Sequence, residues 1–340
     1  MRLLIFTQKV DRNDSVLGFF HNWIIEIAKK VEEVQIICLE KGEFDFPKNA
    51  KVYSLGKEKG VSKLRRIINL YKYLWIIRGS YDKVFVHMNE EYVWLLGLYW
   101  RIIGVPVYMW RNHPRGAFLT RVAVLFSTKV FCTSTSSFTA RFKKTAIMPA
   151  GIDTKIFRVV DGVVRKKYSI CMIGRISPVK HIELGLEAFG RLVASGSQAS
   201  LNIIGSTVER DIEYYDKLKE YVLEHNLSNS ISFTSAVTPD KLAEIYSSYE
   251  ICLNLTESGS FDKTIVEATA CGCIPLVSNT SLRSLLPEAC ITEATSEEIA
   301  KSIERLLDAH SQMETVEKLK PFVESQSLDL LVKRLFEEMA

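Results

Sequence analysis

Apolar and polar positions along this chain follow a repeating rhythm. Short apolar runs of strand length give way to stretches in which apolar residues recur every three or four positions. Residues 3–7 read as a first buried strand, and residues 19–30 as a helix with apolar positions at 20, 23, 24, 27 and 28. A second strand over 34–38 makes the opening a βαβ unit. The same rhythm predicts strands over 52–55, 83–87, 105–110, 130–132 and 146–148. It predicts helices over 63–77 (Ser62 as N-cap), from Glu90 or Glu91 to 103, and over 118–127 and 136–142. Strands alternating with helices at this spacing imply a parallel sheet with helices on both faces.

The run PAGID at 149–153, leading to Phe157, interrupts the pattern, and the alternation restarts at Tyr168. The second half reads as strands over 169–173, 201–204, 231–234 and 251–255, with helices over 182–194, 209–225, 239–248 and 296–309. The expected fold class is therefore α/β, with two doubly wound, Rossmann-like domains over 1–158 and 159–324. In the last segment, 325–340, apolar residues at 328, 331, 332, 335, 336 and 339 form a stripe of helical period. That stripe needs a surface, and the first domain is the expected one.

The stretch TESGSFDKTIVEATACGCIPLV at 256–277 carries the clearest chemistry. A loop with Ser258, Gly259 and Ser260 leads through Asp262, Lys263 and Thr264 into a short helix holding Glu267. Gly272 then stops that helix, and a strand follows over 274–277. In an open parallel sheet such a loop lies at the carboxyl edge of the strands, where ligands bind. Backbone N–H groups at the helix start favour an anion or hydroxyls, and Glu267, one turn in, is placed to accept from a diol such as a ribose. A plain connection, in which Gly and Ser only make the turn, is the alternative. Upstream, SICMIGRISPVKH at 169–181 puts Gly174, Arg175 and Lys180 after a strand. A departing diphosphate needs positive charge there, which an Arg fork and a Lys point charge supply.

Three motifs occur in one order: PAGID at 149–153 with Phe157, GRISPVK at 174–180, and DKTIVEATACGCIP at 262–275. In order and spacing they resemble the glycosyltransferase group 1 family, also called family four, of the GT-B fold. The likeness runs throughout the second half and is mainly one of rhythm in the first. It implies two Rossmann-like domains facing each other across a cleft. It also implies retaining transfer of a sugar from a nucleotide diphosphate sugar to an acceptor hydroxyl, with no cofactor and no metal. Carried over, Arg175 and Lys180 neutralise the donor diphosphate and Glu267 accepts from the ribose. The N–H groups of Asp262, Lys263 and Thr264 touch the sugar or the distal phosphate. Gly174, Gly205, Val237 and Gly18 complete the implied donor-binding set. His113 takes the place of a family histidine facing the donor sugar, or is a surface His beside a Pro. Where many members carry Glu-x7-Glu, this chain has Gly259 eight residues before Glu267, so Glu257 or Asp262 stands in for the missing carboxylate. The N-terminal glycine loop is reduced to Gly18, and Gly205 is followed by Ser and Thr.

Composition changes this picture in three ways. The net charge of +4 divides into +13 up to Arg158 and −9 beyond it. Basic residues from Lys57 to Arg78 are interleaved with Tyr71, Tyr73, Trp75 and Ile76. That helix either lies on an anionic membrane surface or presents a solvated face. No nucleic-acid motif accompanies the charge. The seven cysteines are odd in number, several fall in apolar strand runs, and Cys271-Gly-Cys273 has no second pair at zinc-site spacing. With no signal-peptide pattern after Met1, a reducing, cytoplasmic setting is expected, with the chain peripheral on the inner membrane face. The expected partners are a nucleotide sugar and a glycan or lipid-linked acceptor, in cell-surface glycan or glycolipid assembly. A nucleotide-sugar epimerase of the same fold and a non-catalytic nucleotide-sugar or glycan-binding protein are the rivals. A nicotinamide dehydrogenase fits less well, because neither half has Gly-x-Gly-x-x-Gly after its first strand.

Overall fold

The computed structural model describes residues 1–14, 16–258 and 261–340. Gly259 lies outside the described residues. The chain divides into two compact units, one formed by Met1–Gly151 with Leu328–Ala340 and the other by Ile152–Ser327.

The first unit runs β1 (Arg2–Val10), α1 (Phe19–Ala28), β2 (Glu33–Lys41), β3 (Ala50–Ser54), α2 (Lys63–Ile76), β4 (Lys83–His87) and α3 (Glu91–Ile102). It continues through β5 (Val107–Trp110), α4 (Phe118–Phe126), β6 (Lys129–Cys132) and β7 (Thr145–Ile147). The strands form one parallel sheet in the order β3-β2-β1-β4-β5-β6-β7. Side chains alternate between the faces of a strand. Leu3 and Ile5 of β1 therefore join a core with Trp23 and Ile27 of α1, while Leu4 and Phe6 join the opposite core. That opposite core takes Leu70 and Leu74 from α2, Val93, Leu96 and Trp100 from α3, and Ala123 and Val124 from α4. Gly97 lets α3 approach α4, since a Cβ there would lie 2.5 Å from the Cβ of Phe126.

The C-terminal helix, Leu328–Met339, covers the face shared with α1 through Leu331, Val332 and Leu335. The indole Nε1 of Trp23 donates to the carbonyl of Gly151 at 2.8 Å. Gly151 has φ +71°, and a Cβ there would stand 2.4 Å from Leu331 Cδ2, so the junction requires glycine. The division therefore falls at 151/152 and 327/328, not at 158/159 and 324/325, because Gly151 is packed into the first core.

The second unit runs β8 (Ser169–Ile173), α5 (Ile182–Ala194), β9 (Ser200–Ile204), α6 (Ile212–Glu224), β10 (Ile231–Thr234) and α7 (Pro239–Ser247). It continues through β11 (Ile251–Asn254), α8 (Lys263–Ala270), β12 (Ile274–Val277), α9 (Ser296–Leu306) and α10 (Ala309–Ser325). Its sheet is parallel, ordered β10-β9-β8-β11-β12. In both sheets the order reverses beside the first strand, between β1 and β4 and between β8 and β11. That reversal opens a crevice at the carboxyl ends of the strands.

Two expectations fail. Residues 136–142 do not form an α-helix; only a 3₁₀ turn at Phe138–Arg141 is present. The hydroxyls of Ser137 and Thr139 donate to the carbonyl of Arg111 at 3.2 and 3.1 Å, and the Phe138 N–H donates to His113 O at 2.8 Å. These bonds compete with helical ones. The helix expected over 296–309 ends at Leu306, and the unforeseen α10 follows. Asp308 caps α10 by accepting from Ser311 N at 3.0 Å. Among the described residues, no helix is long and apolar enough to cross a membrane.

Leu331 is 0% exposed in the first core. Leu331→Ala should therefore destabilise the protein by about 2–5 kcal/mol in denaturant unfolding. An unchanged midpoint would mean that the C-terminal helix does not complete that core.

Candidate active site

The second unit gathers polar groups at the carboxyl ends of β8 and β11, beside its sheet reversal. Gly174 follows β8 with φ +141°, a region open only to glycine. Its N–H donates to Ile204 O at 3.0 Å, and a Cβ on Gly205 would lie 1.9 Å from the Gly174 carbonyl oxygen. Gly205 is thus held by backbone approach between β8 and β9. The chain then turns through Arg175, which is exposed and has no ion-pair partner among the described residues, to the 3₁₀ turn Pro178–Lys180. Ser177 in this turn is 3% exposed, and its hydroxyl has no partner among the described residues.

Asp262 caps α8, its Oδ1 accepting from Thr264 N at 3.2 Å. Its Oδ2 accepts from Lys180 Nζ, from Asn254 Nδ2 at 2.8 Å and from Thr256 Oγ1 at 3.3 Å. Burial alone would raise the Asp262 pKa, but the Lys180 charge and these hydrogen bonds hold it below the usual carboxylate range. The Thr264 N–H is taken by the cap and does not point free at a ligand. The Asp262 carboxylate is fully engaged, which leaves Glu257 as the exposed carboxylate of the preceding loop; its Oε1 meets His181 Nε2 at 3.3 Å.

Lys263 and Glu267 lie one turn apart on α8. Desolvation pushes Glu267 up to about 7; Lys263 and Lys180 pull it down and Asp262 pushes it further up. Desolvation likewise lowers the Lys263 ammonium, only partly offset by Glu267. Gly272, with φ +78°, ends the helix in the left-handed conformation. Val237, after β10, packs on the core cluster that contains Tyr246 and Ala268.

Sequence reading missed two residues here. Asn254 is 5% exposed at the tip of β11 and bonds both Asp262 and Thr264 Oγ1, the latter at 3.0 Å. Its signal was a polar residue ending an apolar strand beside a glycine loop. Tyr246 is fully buried, with no hydroxyl partner among the described residues, and its pKa is raised by burial and by the Glu267 charge. Nothing in the pattern of α7 marked it.

His113 and Gly18 belong to the first unit. His113 is exposed, its Nδ1 2.8 Å from Arg115 O and 3.0 Å from Arg115 N, which fixes the local turn. A Cβ on Gly18 would lie 2.5 Å from Asp14 O, so this glycine serves the turn before α1. His87 is buried and stacked on Phe20 at 3.8 Å.

Residues 153–321 match the family of glycosyl transferases group 1. This segment belongs to that family. D-inositol 3-phosphate glycosyltransferases of Geodermatophilus obscurus and Rhodococcus opacus are 25% and 26% identical over 142 and 129 residues. Those matches take in 38% and 37% of this chain but only 32% and 29% of the relatives' length. Among solved structures, HepE of Anabaena in complex with UDP and glucose superposes with a TM-score of 0.78 at 16% identity, covering 100% of this chain and 99% of that one. WaaG, a glycosyltransferase involved in lipopolysaccharide biosynthesis, gives 0.69 at 14% identity, with 98% of each chain covered. The fold is therefore the GT-B fold of the group 1 glycosyltransferases, with two Rossmann-like domains.

Two predictions follow from α8. The native Glu267 pKa lies above that of an unfolded chain, so the folded state holds the extra proton. Its contribution to stability is full below the unfolded pKa and is lost as pH rises through about 7. The melting temperature should accordingly fall between about pH 5 and pH 8, and Glu267→Gln should flatten that slope; equal slopes would refute the assignment. Asp262→Ala removes the cap and leaves Lys180 without its buried partner, and should cost about 3–5 kcal/mol in denaturant unfolding.

Proposed function

We propose that the chain is a retaining glycosyltransferase that moves a sugar from a nucleoside diphosphate sugar to an acceptor hydroxyl without a metal. The observation that carries this reading is the meeting of Lys180, Asp262 and Asn254 at the strand reversal of a group 1 segment, with the exposed Arg175 in the same turn after β8. Arg175 and Lys180 supply positive charge where the leaving diphosphate becomes more negative. Lys180 is held in place by Asp262, and Arg175 is exposed to receive the anion. Glu267, poised near neutrality, accepts from the ribose hydroxyls in its ionised form, so donor affinity should rise with pH through about 7. The acceptor's proton passes to a donor phosphate oxygen on the face the leaving group departs from, which keeps the anomeric configuration. Glu257, exposed beside His181, is the carboxylate for the sugar hydroxyls in place of the family's first Glu.

UDP is the first nucleotide to test, since it is bound in HepE. A glycan or a lipid-linked acceptor at the inner face of a membrane fits the basic first unit. Thermal shift with UDP, GDP and ADP sugars, with and without EDTA, reads the donor site directly, because a ligand of the native state raises the melting temperature. Stabilisation by one base, unchanged by EDTA, is the expected result. Arg175→Ala or Lys180→Ala should lower kcat by roughly 10²-fold or more. A raised KM with kcat intact would remove both residues from leaving-group stabilisation. Donor binding with neither transfer nor slow donor hydrolysis would mark the chain as a non-catalytic binder, and a released free sugar epimer would mark an epimerase.

A further inference from the structure

The helices α2, α3 and α4 pack on one face of the first sheet, and each carries a second apolar stripe pointing away from it. On α2, Leu70 and Leu74 face the sheet, while Leu64, Ile68, Tyr71 and Trp75 occupy the opposite side at spacings of four, three and four. On α3, Leu95, Leu98 and Ile102 repeat that spacing outside the buried Val93, Leu96 and Trp100. On α4, Phe118 and Leu125 stand out beyond Ala123. Leu64 and Trp75 are each 68% exposed, Ile102 75% and Phe118 77%. Exposed apolar residues in register on three helices of one face go beyond the scattered single residues of an ordinary surface and mark a binding face.

The charge on this layer selects the occupant. Lys63, Arg65, Lys72, Arg78, Arg101 and Arg121 lie on or directly after these helices, and none has an ion-pair partner among the described residues. The Arg78 guanidinium sits 3.9 Å from the Trp75 ring centroid, an aromatic and a cation paired at one helix end. Exposed aliphatic side chains, Trp and Tyr, and unneutralised cations together match the acyl boundary and the anionic headgroups of a lipid leaflet. A protein partner would need acidic groups set against six separate cations.

We propose that the α2–α3–α4 layer docks on an anionic lipid surface, with its apolar stripes inserted at the headgroup boundary. It extends the membrane reading of α2 to a three-helix face and holds whether or not the chain transfers a sugar. The test is flotation of the full chain with phosphatidylcholine vesicles lacking or containing phosphatidylglycerol. Binding should require phosphatidylglycerol and weaken with added salt. The variant K63Q/R65Q/K72Q should lower the partition coefficient by about a hundredfold, at roughly fivefold per cation. W75S/I102S should also release the protein, and both variants should keep the wild-type melting temperature, since the changed side chains are exposed. Absence of binding, or binding that neither variant changes, would overturn the proposal. So would a wild-type dimer that W75S/I102S converts to monomer without any vesicle binding, which would assign the face to a second copy of the chain.

Discussion

The ion pair between Lys180 and Asp262 joins the two sides of the crevice in the second unit. Lys180 ends the turn after β8, and Asp262 starts the helix after β11. The same carboxylate accepts from Asn254 and Thr256, so the strand end, the loop and the helix cap share one buried anion. A carboxylate with that many donors stays ionised, and its contact with Lys180 fixes where that side chain points. Among the described residues the neighbouring Glu267 has no such set of donors, and desolvation pushes its pKa up to about 7. Two carboxylates on one short helix thus have opposite tendencies, one structural and one responsive.

Much of this was legible in the chain because buried parallel strands are short apolar runs and their helices show a clear period. Helix 182–194 and strands 169–173 and 231–234 stand where the pattern put them. The stripe at 328–339 could be read as a helix because its apolar residues keep to one face. Gly272 could be read as a helix stop, and its φ of +78° shows why the position takes glycine. The failures have a common cause in side chains that bond the backbone. Ser137 and Thr139 turn a helical-looking segment into a 3₁₀ turn by donating to Arg111 O. The α10 helix was hidden by its polar sequence and by Pro321 within it. At the site, the roles of Asn254 and Tyr246 depend on what lies across the sheet reversal, which no local spacing encodes.

Both sheets reverse their strand order next to the first strand, yet the two crevices are built differently. In the second unit the edge carries the Gly174–Gly205 approach and the Lys180–Asp262 pair. In the first unit, β1 runs on to Val10, and Lys9 beyond its buried stretch is held by Asp11, Asp14 and Glu40. Below that edge His87 is stacked among Phe20 and Trp23. One topology therefore supports a polar, charge-lined turn in one unit and an aromatic floor in the other.

The first unit is discontinuous in the chain, and that has a consequence for how it is made. Its sheet and α1 leave the ribosome well before Leu328–Ala340, separated by the whole of residues 152–327. At about 5–20 residues per second, that gap lasts on the order of ten to thirty seconds. During this interval Trp23, Ile27 and Phe85 lack the Leu331 and Leu335 side chains that close over them. The second unit, an unbroken segment, can reach its native state first. A nascent chain of this protein therefore carries an unclosed first core throughout the synthesis of the second unit, and chaperone contact during that time should concentrate on the α1 face.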